Sequence, residues 1–221
     1  MTSELKKRIL TSFFLLLILY IMHLYSFVMV CLLIIAGIIC WIEAYGLIVK
    51  IFHKNDFKNR IKRFILKAIS LIYLSSLVFT IFYIKSIKPE LQIFILYSLS
   101  ISIVSDIGGF IFGKFFKGKK LTKISPNKTF SGSIGSFIFS IMLTPLFMNY
   151  YDNTSVLILL IITLIISLAS QLGDLLISYL KRRAKVKDTS DLLPGHGGFL
   201  DRLDGIIFAI PVGLILTNLV Q

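Results

Sequence analysis

The sequence predicts an all-α, polytopic integral membrane protein with about seven transmembrane helices and a cytoplasmic N-terminus. Three observations support this fold class. Of the 221 residues, 56% are hydrophobic, and the mean hydropathy is +0.87. Several apolar runs are long enough to span a bilayer, and the basic residues cluster between every second pair of runs. A soluble domain needs more polar residues than this to cover its surface.

The apolar runs set the number of helices. A spanning helix needs about 20 mostly apolar residues to cross a hydrocarbon core of about 30 Å. Predicted helices cover residues 9–25, 27–51, 64–84, 91–112, 131–150, 154–180 and 203–220. The first two share one apolar run that is interrupted only around residues 24–26, which is why the number seven is approximate.

The basic residues indicate the orientation in the membrane. A net charge of +13 would suggest a nucleic-acid partner in a soluble protein. With the N-terminus inside, however, 22 of the 24 Lys and Arg residues lie in cytoplasmic segments, and only Lys85 and Lys88 lie outside. We therefore expect these charges to mark topology and contact the lipid bilayer, with no nucleic acid bound. The abundance of Ile, Lys and Asn is typical of an AT-rich genome, which suggests the inner membrane of a bacterial cell.

The acidic residues point to where chemistry takes place. Asp106 and Asp174 lie inside apolar helices near their predicted cytoplasmic ends. A carboxylate at membrane depth costs a few kcal/mol and is a candidate functional residue by default. Asp174, Ser178 and Arg182 are spaced by four and form one polar stripe on their helix. For Glu43 we expect a structural role instead, at the interface or paired with Lys50.

A polar segment near the C-terminus combines glycines, cations and carboxylates. Pro194-Gly195-His196-Gly197-Gly198 allows close backbone approach to a phosphate. Asp201 and Asp204, three residues apart, either cap the last helix or bind a metal ion, and alone they favour neither. With the basic residues of segment 181–188, the pattern favours Mg²⁺ holding a polyphosphate.

The other long polar segment, 113–130, has a similar composition. Asp106 is followed by Gly108 and Gly109, and then by five lysines before Ser125, Lys128 and Thr129. A proline turn before a helix start, with hydroxyls and a lysine, fits a phosphate or ribose contact. It fits an ordinary helix start equally well. We divide the chain into N-terminal helices (1–90) and a C-terminal region (91–221) that holds both polar segments, 113–130 and 181–202.

The run from Ser178 to Asp204 resembles the signature of the phosphatidate cytidylyltransferase (CDP-diacylglycerol synthase) family. It reads SYLKRRAKVKDTSDLLPGHGGFLDRLD. Gly173-Asp174-Leu175, the Asp106 segment with Gly113-Lys114, and the Ser125–Thr129 block match the family's other motifs in order, so the resemblance covers about residues 100–210. Two departures are Ile177, where members often carry Glu, and Ser131, where they often carry Glu or Gln.

The resemblance implies an enzyme that converts phosphatidate and CTP into CDP-diacylglycerol and pyrophosphate at the cytoplasmic face. It implies Mg²⁺ held by Asp174 and Asp201, allows a second cation such as K⁺, and implies a homodimer. The catalytic residues would be Asp174, Asp201, Asp204 and His196. The substrate-binding residues would be Asp106, Ser125, Lys128, Thr129, Ser178, Lys181, Arg182, Lys187, Asp188 and Arg202.

Three alternatives remain. The closest is a cytidylyltransferase that acts on another lipid, such as an isoprenoid phosphate. A CDP-alcohol phosphotransferase is less favoured because its Asp-Gly-x-x-Ala-Arg pattern is absent from the sequence. A transporter would use Asp106 and Asp174 in an ion pathway, but it would also show carboxylates at mid-membrane and repeated halves.

Overall fold

The computed structural model describes residues 17, 20, 21, 24–54, 56–122, 125, 128–151, 154–195 and 197–218. These residues form helices and connecting segments, with no β-strand among them. The α-helices are α1 (Ser26–Ile51), α2 (Phe57–Ile87), α3 (Gln92–Phe116), α4 (Phe130–Leu143), α5 (Val156–Arg183), α6 (Leu200–Leu203) and α7 (Ile206–Asn218). Short 3₁₀ helices, Pro89–Leu91 and Thr144–Tyr150, precede α3 and follow α4.

Five helical segments of the described residues are long and apolar enough to cross a membrane. They are Ser26–Ile51, Phe57–Ile87, Pro89–Phe116, Phe130–Tyr150 and Val156–Arg183. The predicted all-α, multi-pass membrane class is therefore confirmed. The predicted number of seven is not, because the first predicted helix, 9–25, lies almost entirely outside the described residues.

The last predicted helix, 203–220, corresponds to α7, which begins three residues later than predicted, at Ile206. The chain forms the four-residue α6 and then α7, with a turn at Asp204 and Gly205 between them. The Asp204 carboxylate accepts a hydrogen bond from the Gly205 amide at 2.9 Å, which competes with continued helical bonding. Gly205 also lies against a neighbouring helix, since a Cβ there would come within 2.5 Å of Ser170 Oγ.

The chain divides into two compact units. The first contains the described part of Met1–Phe82 together with Leu180–Arg202. The second contains Tyr83–Tyr179 and the described part of Leu203–Gln221. The first unit thus holds α1, nearly all of α2 and the glycine-rich segment, and the second holds α3, α4, α7 and most of α5.

Buried hydroxyl groups join the helices of the second unit. Tyr97 of α3 contacts Thr163 of α5 at 2.5 Å, and Ser102 contacts Ser170 at 2.7 Å. The remaining contacts link Ser105 with Ser167 and run from the Ser136 hydroxyl to the Ser105 carbonyl. In a membrane, where burial of apolar surface drives helix association weakly, such hydrogen bonds and close packing determine which helix faces meet.

Glycines bring α3 and α4 into direct backbone contact. A Cβ at Gly108 would lie 2.5 Å from the Gly135 carbonyl oxygen, and one at Gly135 would overlap Phe112. Neither position accepts a larger residue without moving a helix. This close approach places the polar ends of α3 and α4 side by side.

Candidate active site

A cavity of about 300 Å³ lies within the second unit, at the polar ends of α3, α4 and α5. Six predicted substrate or metal residues line it together: Asp106, Ser125, Lys128, Thr129, Asp174 and Ser178. Sequence reasoning missed several other lining groups, among them Gln171, Ser133 and Ser136. These three polar residues lie on otherwise apolar helices. That placement could have identified them as candidate site residues from the sequence.

The two carboxylates of the cavity have different partners. Asp174 forms an ion pair with Lys128 and accepts a hydrogen bond from Ser178 Oγ at 3.3 Å. Two of the three residues of the predicted polar stripe, Asp174 and Ser178, are therefore in contact. Asp106 lines the same cavity and interacts electrostatically with both Asp174 and Lys128. Among the described lining residues, one lysine thus faces two carboxylates, an excess of negative charge that suits a cation.

The residues at the start of α4 contribute side chains to the cavity. Thr129 caps the helix, and its Oγ1 accepts a hydrogen bond from the Gly132 amide at 3.1 Å. Thr129 therefore caps α4, as in an ordinary helix start, and also lines the cavity. Ser133, one turn further, donates to Gln171 Oε1 of α5 at 2.5 Å.

The first unit contains a separate carboxylate cluster, organised by Glu43 of α1. Glu43 is buried, with 6% of its surface exposed. Its oxygens accept hydrogen bonds from Thr189 Oγ1 (2.7 Å) and Ser190 Oγ (2.6 Å), and from the Phe199 and Leu200 amides at 3.0 and 2.8 Å. The expected structural role is therefore observed, but its partners are loop groups rather than Lys50.

Asp201 is the second carboxylate of this cluster. Lys181 Nζ donates to Oδ1 at 2.7 Å, and Oδ2 accepts from the Thr189 and Gly198 amides at 2.8 and 3.0 Å. Thr189 Oγ1 adds a further contact at 3.0 Å. Burial by itself would raise the pKa of Asp201. The hydrogen bonds from Lys181 and the two amides outweigh that effect and hold the pKa below its usual value.

The glycine-rich segment binds carboxylates of the protein itself. The amides of three consecutive residues, Gly198, Phe199 and Leu200, point at Asp201 or Glu43. Gly198 has no room for a side chain, because a Cβ would overlap Thr189 Oγ1 and lie 2.8 Å from Glu43 Oε2. Gly198 and the two residues after it thus already have anionic partners within the protein. An interaction of the glycine-rich segment with a phosphate stays a prediction.

The other predicted residues lie in varied surroundings. Arg182, Lys187, Asp188 and Arg202 are exposed in the first unit. Asp204 is 9% exposed, belongs to the second unit and lies in the turn that follows α6. His196 lies outside the described residues.

The side chains that could bind a metal ion are few in the described part of the chain. No group of three or more His, Cys, Asp or Glu side chains converges within the described part of the chain. Mg²⁺, however, often takes only one or two carboxylates and completes its shell with water and phosphate oxygens. Asp106 and Asp174, with neighbouring hydroxyls, fit this ion. At Asp201, a metal ion would have to take the place of the Lys181 ammonium.

These features define a multi-pass membrane protein with a polar, carboxylate-lined cavity at the helix ends. The chain belongs to the cytidylyltransferase family, whose model matches residues 2–220. It is 48% identical over 116 residues to a phosphatidate cytidylyltransferase of Staphylococcus aureus, and 45% identical over 115 residues to one of Staphylococcus saprophyticus. Each match covers 51% of this chain and 44% of the relative, so this chain matches less than half of each relative's length.

Proposed function

We propose that this protein transfers the cytidylyl group of CTP to phosphatidate, giving CDP-diacylglycerol and pyrophosphate. The observation that carries the proposal is the cavity in which Asp106, Asp174 and Lys128 meet hydroxyl groups at the membrane-helix ends. The named relatives support the choice of substrates. In this reaction a phosphatidate oxygen attacks the α-phosphorus of CTP. The bond from that phosphorus to the bridging oxygen breaks, and pyrophosphate leaves.

The protein's contribution is positioning and charge neutralisation, as is usual in phosphoryl transfer. Lys128, which faces Asp174 in the cavity, would neutralise phosphate charge once a cation occupies Asp174. Ser125, Thr129 and Ser178 supply hydroxyl donors for phosphate or ribose oxygens. No side chain needs to form a covalent intermediate, because the attacking oxygen belongs to the lipid.

Asp174, with Asp106 beside it, is the proposed ligand pair for Mg²⁺ in the second unit. When bound, Mg²⁺ supplies positive charge against the phosphate oxygens. Asp201 is proposed as a further ligand in the first unit, with a second cation such as K⁺ as an additional occupant. The Asp201 carboxylate now accepts hydrogen bonds from Lys181 and from the Thr189 and Gly198 amides, so a cation would take the place of the Lys181 ammonium.

The exposed cations of the first unit, Arg182, Lys187 and Arg202, are proposed to bind the triphosphate or the lipid phosphate. Lys181, Asp188, Asp204 and His196 complete the proposed set. The distribution of basic residues supports a cytoplasmic position for both polar segments, where CTP is available. We further propose a homodimer in the inner membrane of a bacterial cell.

The test is CTP-dependent conversion of phosphatidate by the purified protein in detergent with Mg²⁺. Asp174→Asn and Asp201→Ala are compared with Asp191→Asn, an exposed loop carboxylate. We expect CDP-diacylglycerol and pyrophosphate from wild type and Asp191→Asn, and a loss of at least about 100-fold in the two site variants. Folded wild type that binds CTP but leaves phosphatidate unchanged would transfer the assignment to another lipid phosphate. Loss of CTP binding as well would favour the transporter.

A further inference from the structure

One wall of the cavity in the second unit contains three polar residues to which the proposed reaction gives no role: Ser133, Ser136 and Gln171. Ser133 and Ser136 lie three residues apart on α4, so they share a face of that helix. Gln171 meets Ser133 from α5, three residues before Asp174. We call these three residues the serine–glutamine wall.

The hydroxyl protons of both serines are already donated to acceptors of the protein. Ser133 Oγ donates to Gln171 Oε1 at 2.5 Å, and Ser136 Oγ donates to the Ser105 carbonyl oxygen at 2.7 Å. A hydroxyl group has one proton and two lone pairs. Each serine can therefore only accept a further hydrogen bond, so the two serines offer acceptors to a molecule that enters the cavity.

Gln171 is held in the orientation that this polarity requires. Its Nε2 donates to Ser167 Oγ at 3.4 Å, one turn earlier on α5, and its Oε1 accepts from Ser133. An amide turned by about 180° would instead donate to Ser133 and release the hydroxyl proton of that serine. Gln171 is thus a positioning residue that fixes Ser133 as an acceptor.

The packing of α3 leaves room beside Ser136. Gly109 of α3 also lines the cavity, and a Cβ at this position would lie 2.7 Å from Ser136 Oγ. A larger residue at position 109 would therefore cover this oxygen. Ser133 and Ser136 lie within α4, whereas Lys128 precedes that helix, so the wall and the cation proposed to face phosphate lie at different places along the cavity.

Among the parts of CTP, the polarity of the wall selects the base. The ionised triphosphate carries acceptors only, and the ribose hydroxyls both donate and accept, so neither requires a surface made of acceptors. The 4-amino group of cytosine carries two N–H donors. Two hydrogen bonds of about 2.9 Å that diverge by about 120° reach oxygens about 5 Å apart. Side chains three residues apart on a helix have Cβ atoms about 5–6 Å apart, which matches this span.

We propose that Ser133 and Ser136 accept the two hydrogen bonds of the cytosine 4-amino group, and that the serine–glutamine wall thereby selects CTP over UTP. Uracil carries a carbonyl oxygen where cytosine carries the amino group, so its lone pairs would face those of the two serines. A site that leaves buried polar groups unpaired in this way rejects the wrong ligand strongly. The inference rests on the proposed function, because it takes CTP as the nucleotide.

Equilibrium dialysis of nucleotides against the purified protein in detergent with Mg²⁺, without phosphatidate, tests the wall independently of turnover. The probes are CTP, UTP and the triphosphate of the pyrimidin-2-one riboside, which lacks the 4-amino group. We expect wild type to bind CTP at least about 100-fold more tightly than UTP. We also expect it to bind CTP about tenfold more tightly than the pyrimidin-2-one nucleotide, because two hydrogen bonds are lost.

Ser133→Ala and Ser136→Ala should each weaken CTP binding by about fivefold, since one hydrogen bond is lost. Neither should change the binding of the pyrimidin-2-one nucleotide, which has no amino group to lose contact. Ser140→Ala is the matched control, because it removes a buried hydroxyl from α4 one turn beyond Ser136. Ser140 is not among the described residues that line the cavity, so this variant should bind all three nucleotides as wild type does.

Gln171 offers a test that a merely structural role would not pass. Gln171→Leu releases the Ser133 proton, which can then be donated to the uracil carbonyl oxygen. This variant should therefore bind UTP about fivefold more tightly than wild type. Gln171→Glu keeps an acceptor for Ser133, so it should retain the preference for CTP over UTP, although the added negative charge weakens the binding of both.

Wild type that binds CTP no more tightly than UTP would overturn the inference. Equal weakening of CTP and of the pyrimidin-2-one nucleotide by the two serine variants would also overturn it, as would UTP binding that Gln171→Leu leaves unchanged. Failure of the proposed reaction gives a different result. A preference for CTP that depends on the wall, in a protein that does not convert phosphatidate, would support the inference and reject only the lipid substrate.

Discussion

Thr189 Oγ1 donates a hydrogen bond of 2.7 Å to Glu43 Oε2, although 146 positions separate the two residues in the sequence. The same hydroxyl lies 3.0 Å from Asp201 Oδ2. Thr189 therefore contacts both carboxylates of this cluster, Glu43 and Asp201. The loop that carries the family signature is held to α1 through these contacts, and its conformation depends on a residue far outside the signature.

Replacing Glu43 with Gln should destabilise the protein and disorder this loop. The amide keeps the shape of the side chain but offers one acceptor oxygen where the carboxylate has two. We expect a loss of at least about 2 kcal/mol in the free energy of unfolding. Faster amide exchange at Phe199 and Leu200 should accompany the loss. Glu90→Gln, at an exposed glutamate, should stay within about 0.5 kcal/mol of wild type. Unchanged exchange in Glu43→Gln would contradict the assigned role.

The Asp201 carboxylate should make stability depend on pH in the acid range. Its pKa in the folded protein lies below the ordinary value of 3.8, so the unfolded chain takes up the proton first as the pH falls. The stabilisation is complete well above pH 3.8 and is lost as the pH falls through the folded pKa. Asp201→Asn should therefore cost about 2 kcal/mol at pH 7, and this deficit should shrink below about pH 4. Melting temperatures at several pH values test this, with Asp191→Asn as the control; a deficit that stays constant with pH would contradict it.

Gly198→Ala should lower the free energy of unfolding, whereas Gly46→Ala should leave it unchanged or raise it. At Gly198 a methyl group would overlap Thr189 Oγ1 and crowd Glu43, whereas at Gly46 no atom lies within 4 Å of the added carbon. We expect Gly198→Ala to lose more than about 2 kcal/mol. Gly46→Ala, inside α1, should be neutral or up to about 1 kcal/mol more stable, since Ala favours a helix over Gly. Thermal unfolding of both variants in one detergent decides the comparison, and equal melting temperatures would show that the loop adjusts freely.

Lys128→Met should reduce turnover more than it reduces folding. The change removes the cation that faces Asp174 in the cavity, so phosphate charge would meet two unneutralised carboxylates. We expect kcat/KM for CTP to fall by about 100-fold, with an unchanged melting temperature. Lys120→Met, an exposed lysine of the same segment, should retain wild-type turnover. Equal activity of both variants would remove Lys128 from the proposed site.

The sequence alone predicted the long helices and the charged residues that line one polar cavity. α1, α3 and α5 follow from apolar runs whose length matches the bilayer, because no other element satisfies backbone hydrogen bonds there. Asp106 and Asp174 were selected because carboxylates at membrane depth are costly, and Lys128 was selected because the Ser125–Thr129 block resembles a motif of the family. They line one cavity together with residues of α4.

Contacts between distant segments could not be predicted in the same way. The turn at Gly205 depends on how closely that residue packs against Ser170, and no local pattern shows such packing. Glu43 was expected to be structural, but its partners Thr189 and Ser190 are nearly 150 positions away. Gly198 matched a phosphate-binding pattern, and only the folded chain shows that its amide meets Asp201.

The buried hydroxyls of α3, α4 and α5 have a consequence for engineering the protein. Replacing polar residues in membrane helices by Leu or Ala is a common way to raise expression, on the assumption that such residues face lipid without purpose. Here Tyr97, Ser102 and Ser105 select which side of α5 they meet, through hydroxyl partners that an apolar side chain cannot replace. A library designed for yield should therefore leave these positions unchanged and draw its substitutions from the lipid-facing residues of α2.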